Sequence, residues 1–154
     1  MAEQVSCQES GGETTGQVVV LVAQDVSLHA ALRAHVAVVQ PGWRVDAYAG
    51  RQLAMQGIRK MPPDVALVGE RLADGCGLEF ARWVRQRLPA VPVVIWARQP
   101  CAEKLLRVLM AGAMGYVVGN GEGVPLVEHL RKAMSGRFAL CEETERLLPK
   151  LFAE

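Results

Sequence analysis

Asp25 is the first residue placed to do chemistry: a carboxylate beside the amide of Gln24, just after the valine-rich run from Gln17 to Ala23. One carboxylate accepts hydrogen bonds but is a poor ligand set for a hard divalent cation, which wants several oxygens. Cys76 and Cys101 each precede a helical pattern, where a helix N-terminus favours thiolate and a redox pair is the sharp reading. With no CxxC spacing, two unrelated thiols is the plainer one. His29, His35 and His129 have no metal-ligating companions, so packing or surface roles are the default. Gly119-Asn120-Gly121-Glu122-Gly123 is glycine-rich but carries no lysine and no nucleotide-loop spacing, and reads as a loop. Arg82, Arg85 and Arg87 around Trp83 read as a solvated helix face rather than a nucleic-acid patch.

These residues need elements to hold them. Val-rich Gln17 to Ala23 has the continuous apolarity of a strand buried on both faces. A helical pattern follows from Leu28 to Val39 and stops at Pro41-Gly42. Trp43 to Tyr48 is a second strand, Gly50 to Lys60 a second helix, Asp64 to Val68 a third strand and Cys76 to Leu88 a third helix. The pattern closes with strand four, Val93 to Trp96, helix four, Cys101 to Ala111, strand five, Gly115 to Val118, and helix five, Pro125 to Ser135. Gly136 is placed to cap that helix. Five such units with short connections imply α/β architecture: a doubly wound, flavodoxin-like, five-stranded parallel sheet in the order 2-1-3-4-5. Residues 1–16 read as a disordered leader, 17–137 as the domain, and 138–154 as a tail with one short amphipathic helix from Glu142 to Phe152.

Four anchors, in order and correctly spaced, carry a family resemblance. They are Val-Ala-Gln-Asp after strand one, Gly69 eight positions before Gly77 of Gly-Leu-Glu, Val-Pro-Val-Val-Ile in strand four, and Ala-Gly-Ala-Met-Gly-Tyr-Val-Val through strand five. Over Val18 to about Arg137 the chain resembles the receiver domains of two-component response regulators.

That resemblance implies a pocket with fixed parts. Two acidic residues after strand one and an acceptor aspartate hold Mg²⁺, the aspartate acts as nucleophile, and a hydroxyl and a lysine bind the phosphoryl oxygens. Here the acidic pair is Gln24 and Asp25, the acceptor position is Gly69, the hydroxyl position is Trp96 and the lysine position is Gly119. The expectation is a degenerate pseudo-receiver, not an enzyme, with no catalytic residue, metal or cofactor. Slipping the register to make Glu70 a built-in phosphate mimic would turn Leu67 and Val68 onto the wrong faces. Trp96 is either a plug in the emptied pocket or a core aromatic, and Tyr116, at the family's aromatic switch position, is expected to be a fixed packing residue.

The resemblance also implies a protein-interaction module, in bacterial signalling or transcriptional control, working through helix four, strand five and helix five. Arg107, Met110, Tyr116, His129 and Lys132 would supply the contacts to a protein partner or a second copy. The alternative is a small-ligand module, with Gln24, Asp25, Trp96 and Asn120 around a cleft; inward rotation of Trp96 would abolish that cleft.

The totals set outer bounds. At 154 residues, 51% hydrophobic and 21% charged, the chain is one globular domain plus tails. A net charge of +1 gives no bulk argument for nucleic acid or an anionic membrane, so direct contact with either is not expected. No stretch approaches the roughly 20 apolar residues of a membrane span. Four scattered cysteines suit reduced thiols in a cytoplasm, where the chain is expected to reside.

Overall fold

The strands Val18–Val22 (β1), Arg44–Tyr48 (β2), Val65–Gly69 (β3), Val93–Ala97 (β4), Gly115–Val118 (β5) and Ala139–Leu140 (β6) form one parallel sheet in the order β2-β1-β3-β4-β5-β6. They belong to a computed structural model that describes residues 17–119 and 125–151. Every residue of β3, β4 and β5 is buried, as expected of apolar runs covered on both faces. By contrast β2 is polar at alternate positions and only partly covered, which suits an edge strand.

Helices Val26–Val39 (α1), Arg51–Lys60 (α2), Gly77–Arg87 (α3), Ala102–Met110 (α4) and Leu126–Met134 (α5) fill the crossovers. Packing ties them laterally. α1 meets α5, Arg59 of α2 stacks its guanidinium 5.5 Å from the Trp83 ring of α3, and the Arg85 stem of α3 lies beside Gly112 after α4. α4 and α5 are followed by Gly112 and Gly136, both at φ +85°, the left-handed conformation that closes a helix without a Cβ clash.

Gly77 explains why its spacing from Gly69 is informative. A Cβ on Gly77 would lie within 1.9 Å of the Gly69 carbonyl oxygen, so α3 starts in direct contact with the end of β3. Between them a small antiparallel ribbon, Arg71–Leu72 with Gly75–Cys76, turns the chain. Its Asp74 carboxylate accepts the backbone N–H groups of Arg51 and Gln52, capping α2 from a different loop.

The sheet has one more strand than expected. Ala139 and Leu140 pair with Gly115 and Tyr116, and the segment after them packs into the core instead of trailing as a tail. Thr144, fully buried, donates to the Cys141 carbonyl at 3.0 Å, while the Val118 amide points at the Cys141 sulfur at 3.5 Å. The single helix expected from Glu142 to Phe152 is broken into Glu142–Glu145 (α6) and Leu148–Leu151 (α7), the latter packed on α4. Pro149 supplies the reason. Its ring would meet the carbonyl of Glu145, four residues back, where α6 ends. Phe152 lies outside the described residues.

Candidate functional site at the carboxyl ends of the strands

The carboxyl ends of β1, β3 and β4 converge with the first turn of α4 around a cleft of about 570 Å³. A parallel sheet places its functional crevice there because neighbouring crossovers diverge at the switch in strand order. Gln24 and Asp25 come from β1, Gly69 and Glu70 from β3, Ala97, Arg98 and Gln99 from β4, and Lys104 from α4.

Asp25 is already engaged on both oxygens. As the N-cap of α1 it accepts from the Ser27 amide at 3.0 Å and the Ser27 hydroxyl at 2.5 Å, and Arg98 Nη2 donates to its other oxygen at 2.7 Å. The Ser27 hydroxyl, foremost, holds its pKa below the ordinary carboxylate value; burial opposes this, and the Ser27 amide and Arg98 add to the lowering. Glu70 is paired as well, with Lys104 Nζ at 2.7 Å. His29 Nε2 donates to the Ala23 carbonyl at 2.8 Å and fastens the β1–α1 turn.

The remaining rim positions offer little. Gly69 pairs with Trp96 across the sheet, and a Cβ built on it would approach Ala23 Cβ to 2.9 Å. β4 runs one residue further than the sequence suggested, so its last residue is Ala97, not Trp96. The end of the strand thus carries a methyl group and no hydroxyl. Trp96 is only 3% exposed, yet the cleft persists, which corrects the expectation that an inward indole would abolish it. Gly119 sits at φ +143°, a conformation that side chains rarely adopt, and its amide donates to the Ala97 carbonyl at 3.0 Å. Asn120, named for the ligand reading, lies outside the described residues, as do Gly121 to Gly123.

The donor set does not fit a divalent cation. One carboxylate with both oxygens occupied, a second tied to a lysine and one exposed amide give no cluster of hard oxygens. No group of three His, Cys, Asp or Glu side chains converges among the described residues. Cys76 and Cys101 are the N-cap residues of α3 and α4, the first exposed and the second half-buried, and both are free thiols.

On the flank, the residues expected to meet a partner divide into two groups. Arg107 and Met110 stand out from α4, Met110 at 75% exposure, and Lys132 is half-exposed on α5. Tyr116 and His129 do not reach the surface, because every residue of β5 is buried and His129 faces inward from α5. Tyr116 points its hydroxyl toward the Gln99 carbonyl at 3.4 Å; burial first, then the Glu70 charge, push its pKa up to about 12. Burial, with a contribution from Lys132, lowers the His129 pKa. Sequence reasoning missed Leu106 and Leu109, exposed apolar neighbours of Met110, and the two ion pairs of the cleft. An i, i+3, i+4 apolar stripe on α4 was the available signal for the former.

A family model described as the response regulator receiver domain matches residues 19–131. The chain belongs to that family. Among curated proteins, this receiver domain is 34% identical over 87 residues to the DNA-binding transcriptional activator DevR/DosR of Mycobacterium tuberculosis, covering 56% of this chain and 40% of that protein. It is 26% identical over 114 residues to the transcriptional regulatory protein ZraR of Escherichia coli, covering 72% and 26% respectively. It therefore spans well under half the length of either relative. Among solved structures, a LuxR-family two-component response regulator from Aurantimonas sp. SI85-9A1 superimposes with a TM-score of 0.78 at 24% identity, covering 90% of this chain and 99% of that one. Salmonella enterica serovar Typhimurium RcsB bound to promoter rprA gives 0.76 at 17% identity, covering 90% and 71%. These likenesses correct one expectation. A receiver domain whose relatives include a DNA-binding activator, and whose structural neighbours include a DNA-bound regulator, gives no ground for excluding nucleic acid.

No helix of the described residues is long and apolar enough to cross a membrane.

Proposed function

We propose that this receiver domain is a phosphorylation-independent, non-enzymatic interaction module in bacterial two-component signalling or transcriptional control. The observation that carries the reading is Gly69 at the tip of β3, where a nucleophilic carboxylate would have to stand. Three further features support it. Ala97 brings no hydroxyl to the cleft, Gly119 no ammonium, and Asp25 is committed to Ser27 and Arg98. With no group to attack a phosphoryl donor, affinity for a partner would come from surface burial around a few anchors. The α4 surface bearing Leu106, Arg107 and Met110 is the best supplied with them.

Incubation with acetyl phosphate and Mg²⁺, followed by intact-mass measurement, tests the reading. An unchanged mass is expected; a gain of one phosphoryl group, localised by peptide mapping to the cleft, would overturn it.

A second reading, a small ligand in the cleft, is favoured only by the cleft's persistence beside Trp96. The indole has no free face on which a planar ligand could stack, since it is 3% exposed. Nucleotides and cyclic nucleotides are expected to leave the melting temperature unchanged.

A further inference from the structure

Cations gather in the last turns of helices α2 to α5, at the amino ends of the strands, while at the cleft Arg98 and Lys104 are paired with carboxylates. On α3, α4 and α5 the first turn carries an acid, Glu79, Glu103 and Glu128 respectively, and the last turn carries cations. α2 has no acid in its first turn and ends on Arg59 and Lys60. α3 ends on Arg85 and Arg87, and α5 on Arg131 and Lys132. A helix dipole favours a cation in its last turn, but that effect reaches only across one turn and does not require two per helix.

These ends converge. The segments that follow α1, α2, α3 and α5 meet at the amino ends of the strands, around an open groove of about 940 Å³. Arg87 and Arg131 line it, with Trp43, Pro62, Pro89 and Pro92 among its walls. Arg131 rests its guanidinium 5.7 Å from the Trp43 ring, which fixes the charge at the groove edge without neutralising it. Asp64 is the acid on this groove, and it is engaged by the Val18 amide at 2.7 Å. Asp46 on neighbouring β2 is paired with Arg44. Among the described residues, none of Arg59, Lys60, Arg85, Arg87, Arg131 and Lys132 has a carboxylate within ion-pair distance.

We infer that this pole of the domain, opposite the cleft, binds the phosphate backbone of duplex DNA. Arg87 and Arg131 line a groove whose one acid is engaged, and four more cations stand in the last turns of α2, α3 and α5 at the same pole, a spread of charge that matches a regular array of phosphates rather than a single anion. Recognition by such a surface is insensitive to base sequence, because every contact is to phosphate. The overall charge of +1 concealed this pole, since a total over the whole chain does not say where its charges sit.

Fluorescence anisotropy of the full 154-residue chain with a labelled, mixed-sequence DNA duplex tests the inference. Binding is expected at low salt and should weaken steeply as salt rises, with a slope set by the number of phosphates contacted. Arg87→Glu with Arg131→Glu should weaken binding by about tenfold or more and lower the salt slope by about 2. Arg87→Gln with Arg131→Gln should do the same to a lesser degree, with an unchanged thermal melt showing that the fold is intact. Arg33→Glu, exposed on α1, changes net charge elsewhere and should bind as the parent does. Absence of binding at low salt, parental binding by both double variants, equal weakening by Arg33→Glu, or binding of polyglutamate equal to that of DNA would each overturn the inference. Since neither arginine lies near the cleft, the outcome is independent of whether that cleft takes a phosphoryl group.

Discussion

Lys104, in the first turn of α4, reaches back to place its ammonium 2.7 Å from the Glu70 carboxylate at the end of β3. One residue from Gly69, a negative charge thus meets a positive one contributed by the helix whose outer face carries Met110. Both side chains are partly exposed, at 46% and 28%, so solvent screens the pair. A double-mutant cycle with Glu70→Ala and Lys104→Ala should give a coupling of about 0.2–1 kcal/mol by urea unfolding, fading in concentrated salt.

On the proposed reading, a carboxylate placed at Gly69 should not by itself confer phosphoryl transfer. In Gly69→Asp the new Cβ is forced against Ala23 at 2.9 Å, an overpacking worth about 1–3 kcal/mol of destabilisation. Ala97 and Gly119 still supply no phosphoryl ligands. Intact mass after acetyl phosphate treatment should show no gain, while the melting temperature drops.

Gly77 tolerates no side chain. Gly77→Ala would drive a methyl to within 1.9 Å of the Gly69 carbonyl oxygen, backbone that cannot swing aside. A loss of at least about 3 kcal/mol is expected, read as a lower urea midpoint or as failure to fold.

The pH dependence of stability should carry a histidine component. The folded pKa of His129 is depressed below its ordinary 6.5 by burial and by Lys132, so the fold disfavours the imidazolium. Its contribution is therefore intact above about 6.5 and is lost as pH falls below that value through the folded pKa. Unfolding free energy measured from pH 7.5 down to 5 should decline, and His129→Gln should flatten that decline.

Much of the fold was legible because its strands are uninterrupted apolar runs punctuated by proline and glycine. The strands read as Asp64 to Val68 and Val93 to Trp96 are found at Val65–Gly69 and Val93–Ala97, each ending one residue later. β6 was not legible, because two residues carry no periodicity and Ala139 is recruited only by its pairing with Gly115. The break in the last helix was visible in Pro149 but was read through.

The cleft was legible in part. Spacing pointed to Gly69 and Gly119 at the strand ends, while β4 ends one residue later than its pattern suggested, on Ala97 rather than Trp96. Partners such as Arg98 for Asp25 are 73 positions apart and become neighbours only through the strand order. Tyr116 and His129 were counted as partner contacts from their elements alone; both are buried, which for Tyr116 agrees with its other reading as a packing residue.

The brevity of β6 has one last implication. The strand lies alongside Gly115 and Tyr116 of β5, the Cys141 sulfur takes the Val118 amide beyond them, and at two residues β6 offers almost no ladder of its own. Any visitor to this side of the molecule must therefore be recognised through contours and side-chain character, a vocabulary that single substitutions rewrite easily.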